Sequence, residues 1–336
     1  MTESDEMLWM VRGVWVSLCL RAACELGVVD ALDQPQDLAT LATRCSANTS
    51  TLGRLLRVLV DLGLLSNVEG RYAVTTMGAQ LSVGHPSGLR HLAMMQTELP
   101  NLTAWQQLAD AVKRGSAVYK DLNGQTSWEW LASHPAKEAV FNAAMARRGA
   151  AQVAAVVAAY DFSGVRLVID VGGGQGAMLG ELLADQPELT GIVADRPEVA
   201  ASATASLAAA GLGERARGEA SDFFVSVPSG GEVYILSNIL HDWDDAEAVM
   251  ILRSVHAAMG PAAELLIVET VLDAPGRTTP EQRDVHLVDL NMLVLFGARE
   301  RSHSQYDKLL VAGGFEPSSL AQSPNTWNVL LTRRTI

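Results

Sequence analysis

Cysteine is scarce in this chain of 336 residues: Cys19, Cys24 and Cys45 are the whole supply, odd in number and without metal-site spacing. That excludes a disulfide framework and points to a reducing, cytoplasmic setting. Basic charge is short as well, with 25 Lys+Arg against 38 Asp+Glu and a net charge of −13. Only four of the basic residues are lysine: Lys113, Lys120, Lys137 and Lys308. Proteins that live on nucleic acid or anionic membrane carry a basic footprint, so neither partner is expected. No apolar run reaches the roughly 18 uncharged residues of a membrane-crossing helix. The N-terminus, Met1-Thr2-Glu3-Ser4-Asp5-Glu6, is acidic where a signal peptide is basic. What is present is an ordinary globular mix, 49% apolar and 19% charged. At roughly 150 residues per domain the length suggests two domains.

The first half reads as helical. Leu8, Val11, Trp15, Leu18 and Ala22 recur at helical spacing and Gly27 ends the run. A short helix over 38–43 and a longer one over 49–62 precede two β-like runs, 64–68 and 71–74, joined at Glu69-Gly70. Helix, turn, helix, hairpin is the winged-helix pattern, used for DNA or for protein contact. The segment that would read DNA, residues 50–60, offers Arg54 and Arg57 but is mostly apolar, and with the acidic balance this favours protein contact. Residues 75–160 look all-helical and hold Trp105, Trp128, Trp130, Phe141 and Met145, suited either to a core or to a substrate pocket. Asp161-Phe162-Ser163-Gly164 reads as a linker turn, which places the domains at 1–163 and 164–336.

From Val165 the period changes. Strands over 167–171, 190–194, 233–236 and 265–268 alternate with helices over 177–185, 197–210 and 244–259. A helix over 305–312 and β-like runs over 315–320 and 327–331 follow. This alternation predicts an α/β fold with a doubly wound, mainly parallel, Rossmann-like sheet. The turn Gly172-Gly173-Gly174-Gln175-Gly176 between the first strand and its helix fits both G-x-G-x-G of methyl donors and the dinucleotide pattern, with Ala177 at the last position. Asp195 ends the next strand and suits a ribose diol in either case. Asp170, just ahead of the turn, favours S-adenosylmethionine: a pyrophosphate avoids a carboxylate, whereas an ammonium and a sulfonium do not. Asp222-Phe223-Phe224 adds an acceptor and an aromatic wall for adenine. His241, in Leu240-His241-Asp242-Trp243, follows a strand end, where ligands sit in such sheets. Glu269 interrupts the apolar run 267–270 and needs a partner. Glu300 opens the segment before the last helix.

The combination of Asp170–Gly176, Asp222-Phe223-Phe224, Leu240-His241-Asp242-Trp243, Glu269 and Arg299-Glu300-Arg301 resembles the S-adenosylmethionine-dependent small-molecule O-methyltransferases. These include plant caffeate and flavonoid enzymes and bacterial enzymes of polyketide and antibiotic biosynthesis. The resemblance spans nearly the whole chain. It implies a class I methyltransferase sheet behind an N-terminal winged-helix domain that forms a homodimer. It implies His241 as general base flanked by Glu269 and Glu300. Asp170, Gly172, Gly174, Asp195, Asp222, Phe223, Ser237 and Trp243 would then bind the cofactor. Phe141, Met145, Asp242, Met292 and Phe296 would face a hydroxylated aromatic acceptor. The sulfonium supplies the electrophile, so no metal is expected. Ser221, ahead of Asp222-Phe223-Phe224, departs from the family pattern at that loop, and the run Gly297-Ala298-Arg299-Glu300-Arg301-Ser302 departs from it in a way that keeps the glutamate and bears on the shape of the pocket. Relatives with decarboxylase or hydroxylase chemistry, and a DNA-binding regulator, are the alternatives.

Overall fold

The computed structural model describes residues 2–146, 148–321 and 325–335. The chain forms two compact units: Met1–Leu102 with Leu131–Arg147, and Thr103–Trp130 with Arg148–Ile336. Thr103–Trp130 and residues 148–163 thus belong with the second unit by compactness.

In the first unit the apolar N-terminal run is two helices, Glu3–Val11 and Gly13–Glu25, bent by 51° at the break. The helices Leu38–Arg44 and Thr49–Asp61 start at side-chain caps, Asp37 and Asn48, which accept amide hydrogen bonds of the first turn. Strands β1 (Gln36–Asp37), β2 (Leu65–Val68) and β3 (Arg71–Val74) make a small antiparallel sheet in the order β1-β3-β2. Leu41, Leu52, Leu56, Leu59 and Tyr72 close a core between these helices and the sheet. Among the described residues no single helix is long and apolar enough to cross a membrane.

The second unit is built on seven strands: β4 (Leu167–Val171), β5 (Thr190–Asp195), β6 (Ala216–Ala220), β7 (Val233–Ser237), β8 (Glu264–Glu269), β9 (Ser319–Ala321) and β10 (Asn328–Arg333). Their order is β6-β5-β4-β7-β8-β10-β9. The first five are parallel, and β10 lies antiparallel to both β8 and β9. The strand order reverses between β4 and β7, the place where open α/β sheets bind ligands. Side chains alternate across this sheet. Ile169, Val171, Leu236 and Ile267 enter one core, and Val168, Ile235, Leu266 and Val268 the other. A third cluster joins Ala104, Ala111, Val118 and Tyr119 to Val294 and Leu295 of the 18-residue helix Thr279–Phe296.

Candidate active site

The glycine turn sits at the carboxyl end of β4. Gly172 adopts φ +73°, and a β-carbon there would collide with the Ile239 side chain while lying 3.5 Å from Phe223. The missing β-carbon therefore lets the Ile239 side chain pack directly against the backbone of the turn, beside Phe223. Asp195 organises the turn: its Oδ2 accepts from the Gly174 amide at 3.0 Å and its Oδ1 from the Arg196 amide at 2.7 Å. Asp170 behaves differently. It is buried, and neither carboxylate oxygen has a hydrogen-bond partner. Burial, and next the charge of Asp195, push its carboxyl up to about 7. A buried carboxylate with two unsatisfied oxygens facing the back of a glycine turn is suited to a cationic or N–H-donating ligand.

Across the turn Phe223, Phe224 and Trp243 form an edge-to-face aromatic wall, with centroid separations of 5.0, 5.9 and 4.8 Å. Asp222 fixes the start of this wall, its Oδ1 accepting from the Phe224 amide at 3.0 Å. At the end of β7 the Ser237 hydroxyl and the Asn238 side-chain oxygen Oδ1 are buried without partners, and Asn238 has φ +54°. These orphaned groups, the glycine turn and the aromatic cluster together fit an adenosyl ligand carrying an amino acid.

His241 lies in the single 3₁₀ turn Leu240–Asp242 that follows β7. Asp244 stops the turn by capping the next helix, Asp245–Ala258, and accepts from the Glu247 amide at 2.8 Å. The imidazole is buried, with Nδ1 2.8 Å from Glu300 Oε1, 3.7 Å from Glu269 Oε2, and Nε2 3.5 Å from Asp242 Oδ1. Glu269 mainly holds backbone: its Oε1 accepts from the amides of Ile239, Leu240 and His241 at 3.1, 3.0 and 3.4 Å. Burial opposes a charged imidazole, but Glu269, Glu300 and Asp242 outweigh it and lift the ring to about 10. Burial likewise raises Glu269, and raises Asp242 to about 6 against the pull of His241.

The structure thus brings His241, Glu269, Glu300 and Asp242 together, and gathers Asp170, Gly172, Gly174, Asp195, Asp222, Phe223, Ser237 and Trp243 around the carboxyl ends of β4, β5 and β7. Met292 is buried in the helix Thr279–Phe296, and Phe296 packs on Trp128 at 5.1 Å. Phe141 and Met145 lie half-buried on the helix Pro135–Ala146 of the first unit. Three participants carried no sequence signal of their own. Asp289 accepts from the Glu300 amide at 2.9 Å, Asn238 is described above, and Tyr306 is a buried phenol whose burial holds it well above the usual phenol range. His241, Glu269 and Glu300 also place one ligand atom each within 4.8 Å of one another, a spacing that a divalent ion tolerates.

Comparison with known proteins agrees with this geometry. The family model for the O-methyltransferase domain matches residues 105–316, and the model for the O-methyltransferase dimerisation domain matches residues 9–83. The phenazine O-methyltransferase PhzM of Lysobacter antibioticus is 39% identical over 317 residues, 93% of this chain and 91% of that protein. The mitomycin biosynthesis 6-O-methyltransferase of Streptomyces lavendulae is 34% identical over 309 residues, 91% of this chain and 87% of that protein. Among solved structures, LaPhzM aligns over 100% of both chains with a TM-score of 0.93 and 36% identity. NcsB1, an O-methyltransferase from neocarzinostatin biosynthesis in complex with S-adenosylmethionine and 2-hydroxy-5-methyl naphthoic acid, aligns over 95% of this chain and 96% of that one, with a TM-score of 0.78 and 30% identity.

Proposed function

The chain belongs to the O-methyltransferase family, and from that premise we propose that it methylates a phenolic hydroxyl of an aromatic, polyketide-type natural product with S-adenosylmethionine as donor and His241 as general base. The observation that carries this reading is the 2.8 Å contact between His241 Nδ1 and Glu300. A carboxylate on Nδ1 fixes the tautomer with a proton there and leaves Nε2 as the nitrogen that accepts one.

A free phenol titrates near 10 and is a poor nucleophile at neutral pH. When bound, S-adenosylmethionine supplies an electrophilic methyl on a sulfonium that leaves as a neutral thioether. His241 Nε2 takes the phenol proton as the oxygen attacks, and Glu300, Glu269 and Asp242 stabilise the resulting imidazolium. The value of about 10 belongs to the unliganded pocket. A bound cationic donor would oppose the imidazolium and lower this value, in the direction a general base needs. In this reading Asp170 takes the donor's ammonium, Asp195 its ribose, and Phe223, Phe224 and Trp243 its adenine. The sulfonium is the electrophile in this reading, so methyl transfer is expected to persist in excess chelator.

Labelled methyl transfer to a panel of hydroxylated mono-, bi- and polycyclic aromatics tests the reading. His241→Ala should lower kcat by about 10²–10⁴-fold while S-adenosylhomocysteine binding survives within a few-fold. Full activity in that variant would remove His241 as the base. Turnover of an acceptor without any methylated product would point to diverged chemistry instead.

A further inference from the structure

We propose that Arg301 is a positioning residue for the methyl transfer: its guanidinium clamps the two backbone carbonyls on either side of His241 and so holds the imidazole against Glu300. The inference rests on the reading of His241 as the base. Arg301 is fully buried, at 0% exposure. Its Nη1 donates to the Leu240 carbonyl at 2.6 Å and its Nη2 to the Trp243 carbonyl at 2.8 Å. Nε and Nη2 also reach Asp245 Oδ1, at 3.1 and 2.8 Å. Leu240 immediately precedes the histidine and Trp243 follows two residues later, so the turn is gripped at both ends.

The turn needs such a grip. Its own hydrogen bonds are long, 3.2 Å from the Asp242 amide to Ile239 and 3.4 Å from the Trp243 amide to Leu240. A single 3₁₀ turn with poor internal bonds does not fix a side chain by itself. Two charged groups divide the work. The Glu269 carboxylate collects the amides on one side of the turn, and the Arg301 guanidinium collects carbonyls on the other. Glu300 and Arg301 are successive residues, and their side chains reach the His241 ring and the Leu240 carbonyl respectively. The segment is tied down where the Leu272 amide donates to the Arg301 carbonyl at 3.0 Å. One short segment therefore supplies both the partner of the ring and the clamp on its backbone.

A role in stability alone explains the arginine poorly. Desolvating a guanidinium is costly, and an apolar side chain of similar size often serves a core as well or better. The one carboxylate on it, Asp245, is half exposed and shared with Arg299. The planar fork is what two divergent carbonyls require, and a lysine ammonium cannot reproduce it.

The full-length variants Arg301→Lys and Arg301→Met test the proposal against three readouts. Affinity for S-adenosylhomocysteine and KM for an acceptor of the wild type should stay within about threefold, while kcat falls about 10-fold in R301K and about 100-fold in R301M. The His241 ring, followed by ¹⁵N-histidine NMR in the unliganded protein, should titrate at least about one unit lower in both variants as it leaves Glu300. Simple removal of a nearby positive charge would raise that value in R301M, so the sign separates unclamping from electrostatics. If R301M fails to fold, R301K, which keeps a buried cation, decides alone. A folded variant with kcat within twofold of the wild type and an unmoved His241 titration overturns the proposal. A wild type that methylates no acceptor sinks the parent reading instead, and the NMR measurement still decides the clamp.

Discussion

Two buried titratable residues govern this site, one without a partner and one ringed by carboxylates, and both hold their protons more tightly in the folded protein. Asp170 has no partner for either oxygen, and its folded-state carboxyl sits at about 7 against an ordinary value of 3.8. The folded protein thus binds this proton more tightly than the unfolded chain. Stability from this residue is present at low pH and lost as pH rises from about 4 through about 7. Asp170→Asn should abolish that loss, so the unliganded variant unfolds at higher denaturant than the wild type at pH 8. The same change should weaken S-adenosylhomocysteine binding about tenfold or more, roughly 1.4 kcal/mol, because the ligand loses its carboxylate. A variant that keeps full affinity would show that Asp170 only orders the turn. His241 runs to higher pH: its folded-state pKa of about 10 exceeds the ordinary 6.5, so its stabilising contribution is complete below about 6.5 and lost as pH climbs to about 10. Chemical denaturation from pH 6.5 to 10 should show that decline in the wild type and a flatter curve in His241→Ala.

At the scale of elements, the strand–turn–helix unit carries the site, and Gly172 is its tightest point. Gly172→Ala combines an L-residue at φ +73° with a collision against Ile239. It should cost about 1–3 kcal/mol of stability, read by urea denaturation, and should lower S-adenosylhomocysteine affinity. An alanine variant of wild-type stability would mean that the turn adjusts freely. This unit was legible in the sequence because burial on both faces makes β4 apolar but for Asp170, and the strand ends at the glycines. The helix Ala177–Asp185 was legible to the residue. Other elements were not. Strand β6, Ala216–Ala220, reads Ala-Arg-Gly-Glu-Ala, because an edge strand needs little apolar sequence. The helix Thr279–Phe296 opens on a polar turn, capped by Thr278 and Glu281, and becomes apolar only where it meets the core. The break at Arg12 is invisible to periodicity, since both helices around it carry apolar residues. His241, Glu269 and Glu300 were legible as residue types, but the division between them was not. Only the fold shows that Glu300 takes the ring while Glu269 takes the backbone, because that depends on register across β8 and on the cap at Asp244.

At the scale of the molecule, a net charge of −13 sets copies of this chain against one another. Any homodimer must therefore bury enough apolar surface to overcome long-range repulsion. The first unit offers such surface. Trp9, Met10, Val11 and Trp15 on its two N-terminal helices are 52, 62, 69 and 63% exposed, a concentration of apolar side chains that monomers rarely leave in water. They fall in or beside the stretch that matches the dimerisation domain, residues 9–83. Salt separates an apolar interface from an ion-paired one. Because screening removes repulsion between two acidic copies and leaves apolar burial intact, sedimentation equilibrium should show tighter dimerisation as sodium chloride rises from 20 to about 300 mM. An interface built on ion pairs would loosen over the same range. The double variant Trp9→Ser and Trp15→Ser should sediment as a monomer at micromolar concentration while each chain still binds S-adenosylhomocysteine, since the residues around β4, β5 and β7 all belong to the second unit. A dimer that persists in that variant would place the interface on another face. A monomer that also loses the ligand would show instead that the site depends on association.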